Sequence, residues 1–271
     1  METITNEVIE LIEKYPSKKE DKKGSLLFRF AYMGDTEKAL QELASLAEHE
    51  QWTTTGGREN DILLSYLTYT FEKTVKDNLV ILSDDKDRAV FNTGLLTENG
   101  EDILCMFNKF ESSQKFPMHF QKFCKESDND FMRHFSVTPT YVTYFDNPQD
   151  IYFDPSLEIV KNLDHILEDN FSRFPENLQN KGKHYILSLL SSGLDLTIKR
   201  CKRNYRIAVP QYYNEEITYL LPVDLDGTKM ALAVGAINGR YRANTIFTLA
   251  MAYKNARLLM KPEADWLSLG L

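Results

Sequence analysis

The run MALAVGAI (230–237) has few places to go in a fold. It carries no polar side chain, so as a strand it is covered on both faces. Asn238-Gly239 follows at once, and Asn-Gly between two strand-like runs is the strongest short-range signal for a tight hairpin. The outgoing arm, 240–248, alternates: Arg240, Arg242 and Asn244 are expected on one face, with Tyr241, Ala243 and Thr245 on the other. A strand at 217–225 precedes. The carboxyl-terminal third therefore specifies a meander with a buried central member.

The rest of the chain supplies helices and a second hairpin. Residues 88–97 and 101–110 read as strands joined through Glu98-Asn99-Gly100. Helices are expected at 6–14, 35–50, 61–76, 156–174, 184–204 and 250–260. In the second, Asp35 is the N-cap, and Leu40, Leu43, Ala44 and Ala47 recur at helical spacing. Residues 113–155 are irregular and aromatic, and no internal repeat is visible. This order predicts an α+β fold: a helical N-terminal part, then a mixed or antiparallel sheet built from hairpins and packed by helices. Residues 1–34 read as an N-terminal helix with a charged linker, and 35–271 as a single α+β domain.

Composition excludes several classes. A net charge of −8 argues against salt-driven coating of nucleic acid, though it leaves room for a locally basic groove. Cys105, Cys124 and Cys201 are odd in number and widely spaced, which supports neither a disulfide framework nor a zinc site. There is no signal-peptide layout and no apolar run of membrane-spanning length, so a cytoplasmic location without membrane association is expected. Phosphate-loop, GxGxxG, GxSxG and HExxH patterns are absent, and neither a metal nor a cofactor is expected.

The candidate functional residues are mostly cations and amides. Arg240 and Arg242, on one strand face, suit a phosphate or carboxylate, or else guard an edge strand. Tyr253, Arg257 and Lys261 share a helical stripe, in which Tyr253 stacks on a base and Arg257 meets a phosphate, or the two cover the core. Asn255 lies among apolar neighbours, as a ligand contact or a buried polar group. Lys199, Arg200, Lys202, Arg203 and Arg206 form a cluster with no acid among them, a phosphate patch or a complement to a helix dipole. His165 is the acid/base candidate, on the face opposite a stripe of Val160, Leu163, Leu167, Phe171 and Phe174. Asn170 falls inside that stripe and Arg173 flanks it, as parts of a hydrogen-bond network or of a pocket. Asn92 shares a strand face with Val90, Gly94 and Leu96, again as ligand contact or structural amide.

The segments FNTGL (91–95), HILEDNFSRFP (165–175), KRCKRNYRIAVPQYY (199–213), LLPVDL (220–225) and YRANTIFTLAMAYKNARLL (241–259), then Trp266-Leu267, resemble domain of unknown function family 3825. The resemblance runs from about residue 40 to the C-terminus. It implies a link to RNA metabolism, stress or defence, because such domains accompany cold-shock-type, RNA-binding and nuclease modules. The family's motif positions fall here on Asn92, His165, Asn170, Arg173, Arg200, Tyr205, Tyr241, Thr245, Tyr253, Asn255 and Arg257. The expected function is binding of RNA or a small nucleotide through an Arg/Asn/Tyr cluster. The alternatives are a metal-independent phosphodiesterase or nucleotide-processing enzyme with His165 as acid/base, and a scaffold for a protein partner.

Overall fold

The computed structural model describes residues 6–15 and 25–267. The chain forms two compact units, within Met1–Val142 and Thr143–Leu271, and the boundary falls inside the span read as one domain. The α+β class holds for both. The first unit runs Glu7–Glu13 (α1), Leu26–Phe30 (α2), Ala31–Tyr32 (β1), Thr36–Leu46 (α3), Asp61–Lys76 (α4), Ile81–Leu82 (β2), Arg88–Leu96 (β3), Asp102–Lys109 (β4), Met118–Lys125 (β5) and Asn129–His134 (α5). The second runs Ile159–Lys161 (β6), Leu163–Asn170 (α6), Glu176–Gln179 (α7), Lys183–Cys201 (α8), Val209–Tyr213 (β7), Glu216–Leu225 (β8), Thr228–Ile237 (β9), Arg240–Phe247 (β10) and Leu249–Leu259 (α9). No helix of the described residues is long and apolar enough to cross a membrane.

The two units repeat one topology. Each five-stranded sheet has the order first-fifth-fourth-third-second: β1-β5-β4-β3-β2 in one, β6-β10-β9-β8-β7 in the other. In each, the first strand is parallel to the fifth and every other pair is antiparallel. The registers also correspond. The row Arg88–Asn108–His119 in the first sheet matches Thr218–Gly235–Arg242 in the second. In both, a bulge follows on the fifth strand, at Gln121 and at Asn244. The repeat is invisible in the sequence because topology constrains only apolar alternation and turn positions, which many residue choices satisfy.

A long helix covers one face of each sheet. In the first unit Phe71 of α4 meets Phe30 and Phe91 at ring distances of 5.3 and 5.1 Å. Leu27 and Phe30 are fully buried, so residues assigned to the N-terminal segment contribute to this core. Phe131 and Phe135, within and just after α5, pack on the opposite face against Val90, Leu104 and Cys124. In the second unit Ile186, Leu190 and Leu194 of α8 pack on the face bearing Leu221, Leu232 and Ala243. Gly193 faces the sheet at this contact, where a Cβ would meet the Asp224 carbonyl oxygen at an ordinary 3.4 Å. Thr197 of α8 donates to the Pro222 carbonyl. On the other face Leu220, Ala231 and Ala233 are buried, and α9 packs against β7, β9 and β10. The run MALAVGAI is thus covered on both sides through most of its length.

Several expectations are met in detail. Asp35 accepts from Lys38 N–H at 3.0 Å and caps α3. Asn238 and Gly239 have φ of 48° and 73°, the paired positive values of a type I′ turn. Others are corrected. The helix expected over 156–174 is a strand (β6), the short α6, and a 3-10 turn at Phe171–Arg173. The open edge of β10 accounts for this: Tyr241 N–H donates to the Glu158 carbonyl and Asn162 N–H to that of Ala243, at 2.8 and 3.1 Å. Sheet pairing of the β-branched Ile159-Val160 outweighs helical periodicity there, and Val160 is exposed rather than in the core stripe. The irregular stretch 113–155 contains β5 and α5, whose MHFQKFCK pattern lacks clean alternation because of the bulge.

The three cysteines are buried, and burial pushes the Cys124 and Cys201 thiols up to about 12 and about 11, and that of Cys105 well above its ordinary value. At pH 8 a thiol of that kind is thiolate to only about one part in a thousand. Iodoacetamide at pH 8 should therefore leave the native protein unlabelled, and should label all three cysteines in denaturant, as read by intact mass.

Candidate functional site

Two surfaces of the second unit bring chemistry-bearing side chains together. The first is the end of the sheet face on which α9 lies. Gln211, Thr218, Gly235 and Arg242 stand in one cross-strand row of β7, β8, β9 and β10. Next to them the bulge at Asn244 shifts the alternation by one residue. Thr245 and Phe247 consequently join the Arg242 face. This corrects the simple alternation that grouped Thr245 with Tyr241 and Ala243. These side chains line a groove of about 250 Å³. Gln211 is 1% exposed, and its Nε2 donates to Thr218 Oγ1 at 3.0 Å. Its Oε1 is buried with no partner among the described residues.

The bulged strand is held from its edge by α6 and the turn after it. Thr245 Oγ1 donates to Asn170 Oδ1 at 2.9 Å and accepts from Arg173 Nη1 at 2.9 Å. Arg173 Nη1 also donates to the Ile246 carbonyl at 2.7 Å, and its guanidinium sits 5.3 Å from the Phe247 ring centre. Asn170, 3% exposed, donates in turn to the Ile166 carbonyl at 3.1 Å. Of the two roles open to Asn170 and Arg173, the geometry is that of a satisfied hydrogen-bond network.

The second surface is the end of α8. Lys199, Arg200, Lys202, Arg203 and Arg206 are all exposed, and none forms an ion pair among the described residues. Arg203 Nη1 caps the helix by donating to the Lys199 carbonyl at 2.6 Å. The chain then enters a 3-10 turn at Tyr205–Ile207, capped by Asn204 Oδ1 on Arg206 N–H and anchored by Trp266 Nε1 on the Ile207 carbonyl at 2.8 Å. Tyr205 is 59% exposed, and the Arg206 guanidinium lies 5.8 Å from its ring centre. Tyr152, 52% exposed, meets Tyr205 edge-on at 5.6 Å. Its segment is pinned to the sheet: Tyr219 Oη donates to the Asp150 carbonyl at 2.8 Å, and Asp154 N–H donates to Tyr241 Oη at 3.0 Å. Burial pushes the Tyr219 hydroxyl up to about 12, so it stays a donor at physiological pH. The result is a fixed aromatic pair beside cations that have no ion pair among the described residues.

The other candidates stand apart from both surfaces. Asn92 belongs to the first unit, fully buried, and its amide is consumed locally. Nδ2 donates to Asp102 at 3.0 Å and to the Pro139 carbonyl at 3.1 Å, and Oδ1 accepts from Gly94 N–H at 2.9 Å. Gly94 has φ of 72°, so this amide fixes a bulge in β3. Tyr253 and Arg257 are 6% and 9% exposed on α9, and Asn255 is half-buried. Arg240 is exposed and 3.5 Å from Glu158. His165 lies on the solvent side of α6, its Nδ1 2.8 Å from Asp169. Among the described residues no group of three or more His, Cys, Asp or Glu side chains is placed to hold a metal.

Reading the sequence did not single out Tyr152, Gln211 or Gly235. Only Gly235 left a signal, as the glycine in an otherwise apolar strand.

The sequence profile of a domain of unknown function, DUF3825, matches residues 43–266, most of the chain and parts of both units. No curated protein and no solved structure matches. The chain belongs to the DUF3825 family.

If Asn92 serves only its bulge, Asn92→Ala should lower stability by about 2–3 kcal/mol, because Gly94 N–H and the Pro139 carbonyl lose a buried partner. Denaturant titration reads this, and phosphate and RNA affinity should be unchanged.

Proposed function

We propose that this member of the family binds single-stranded RNA through the end of α8. The observation that carries the reading is the convergence of Lys199, Arg200, Lys202, Arg203 and Arg206, none of them ion-paired among the described residues, with the exposed, anchored pair Tyr152 and Tyr205. A helix dipole accounts for one or two cations in the last turn. It does not account for cations extending past the helix end to Arg206, nor for exposed tyrosines beside them. Phosphates pair with the cations, while a base stacks on a tyrosine face without requiring a given sequence. The overall charge of −8 repels nucleic acid elsewhere and confines it to this patch.

Within this reading Arg200 keeps the role expected of it. Tyr253 and Arg257 do not take part, since their burial leaves no face for a base or phosphate. A phosphodiesterase built on His165 has less support. A general acid must reach the reacting group directly or through one water. His165 is instead engaged by Asp169 and lines neither surface.

The test is fluorescence anisotropy of labelled single-stranded RNA over a salt series. Each phosphate contact contributes roughly 0.7 to the log–log salt slope. Lys202→Gln and Arg203→Gln should each reduce the slope by about that amount, and Tyr205→Ala should weaken binding by about tenfold at constant slope. Absence of binding at about 50 mM salt, or a slope unmoved by both charge variants, would refute the proposal.

A further inference from the structure

We infer that the groove on the α9 side of the second sheet is a separate binding site for a small nucleotide of the nucleoside monophosphate class. This does not depend on RNA binding at the end of α8.

The floor of the groove holds an unmet hydrogen-bonding group. Gln211 is 1% exposed, one end of its amide donates to Thr218, and its Oε1 is buried with no partner among the described residues. A buried carbonyl oxygen without a donor is costly in a purely structural role. It makes chemical sense as an acceptor for a ligand's N–H. Charge is arranged around it with polarity. Arg242, exposed and with no carboxylate in ion-pair range among the described residues, lines one side. Glu216, paired in register with Tyr213, lines another. Phe247, whose ring carries the Arg173 guanidinium, forms part of the apolar wall. An anionic end therefore belongs at Arg242 and a donor-bearing heterocycle over Gln211, with further donors towards Glu216. About 250 Å³ holds a ligand of that size and not a long chain lying flat.

The repeated topology shows what keeps the groove open. The corresponding row in the first sheet is Arg88–Asn108–His119, and Asn108 stands where the second sheet has Gly235. There Asn108 accepts from Arg88 at 2.9 Å, and Lys109 is paired with Asp87 at 2.8 Å. The cations of that depression are engaged, and acidic side chains, Asp85, Asp87 and Glu111, share its lining. In the second sheet a glycine leaves the floor bare. A Cβ at Gly235 would sit 3.4 Å from Thr218 Cγ2, an ordinary contact, so the backbone accepts a side chain there and space for a ligand is what is lost.

The full-length protein is titrated with AMP, GMP, CMP and UMP by calorimetry, and with inorganic phosphate as a control. At least one nucleotide should bind at least tenfold more tightly than phosphate. Gly235→Asn should abolish that binding and Arg242→Gln should weaken it about tenfold, with anisotropy of labelled RNA unchanged in both. Gln211→Leu gives the sharpest outcome: nucleotide binding is lost while the melting temperature stays level, because removal of the unpaired buried oxygen offsets loss of the bond to Thr218. A structural glutamine would show the reverse, a lower melting temperature with binding intact. That result, or no nucleotide binding, or binding indifferent to Gly235→Asn, would overturn the assignment.

Discussion

The second unit depends on how β10 is held. Five side-chain and backbone groups meet at its bulge: the Thr245 hydroxyl, the Asn170 amide, the Arg173 guanidinium, the Ile246 carbonyl and the Phe247 ring. β6 pairs with β10 only over Tyr241–Ala243, so beyond Ala243 the strand would present bare backbone at the sheet edge. Arg173 satisfies one of those carbonyls, and Asn170 fixes the hydroxyl beside it. The bulge so secured reverses the facing of Thr245 and Phe247. It thereby decides which side chains cover α8 and which line the opposite groove. Ile246, on the same strand, falls into the α8-side core for the same reason.

What was legible in the sequence follows from how local each signal is. The Asn238-Gly239 turn and the Asp35 cap each depend on residues close in the chain, and each is present as expected. The long helix over 156–174 was not, because its fate depended on a strand more than seventy residues away offering an unpaired edge. The bulge at Asn244 left no mark that alternation analysis detects, so Thr245 was assigned to the wrong face. Among candidate residues, burial made the difference. Tyr253 and Arg257 have the right chemistry and spacing for a nucleotide, but the same helical stripe that aligns them turns them into the packed interface. The basic run at 199–206 needed no such context. Its cations fall off the apolar stripe that ends at Cys201, or at its margin, and all are exposed.

The charge distribution makes the two surfaces complementary in kind. At the end of α8, cations are exposed, flexible in reach and hydrated, which suits phosphates presented at variable spacing. In the groove a single arginine stands beside a glutamate and a buried amide, which suits one ligand in one orientation. A chain of net charge −8 cannot hold a polyanion by its average field, so both readings rest on local geometry. Aromatic anchoring matters as much as charge here. Tyr152 and Tyr205 are exposed because the segments beneath them are tied down through Tyr219, Tyr241 and Trp266. An exposed ring whose backbone is already ordered gives up little entropy on stacking.

The repetition of one topology in both units bears on which residues are structural. Positions set by the fold should serve similar ends in both, and the fifth-strand bulges do: Gln121 and Asn244 are both amides at corresponding places. The rows before those bulges do not agree. Arg88, Asn108 and His119 face Thr218, Gly235 and Arg242 across the comparison, and the one member without a side chain belongs to the unit whose floor carries an unpaired amide oxygen. If the topology alone required polar groups at this row, both sheets would satisfy theirs internally, as the first does through Arg88 and Asn108. A buried amide oxygen without a partner among the described residues occurs in both units, at Gln121 and at Gln211, so it is not what sets the second apart. The departure is Gly235: where the first sheet closes its row with Asn108 bonded to Arg88, the second leaves the floor bare beside Arg242, and that difference separates binding from packing.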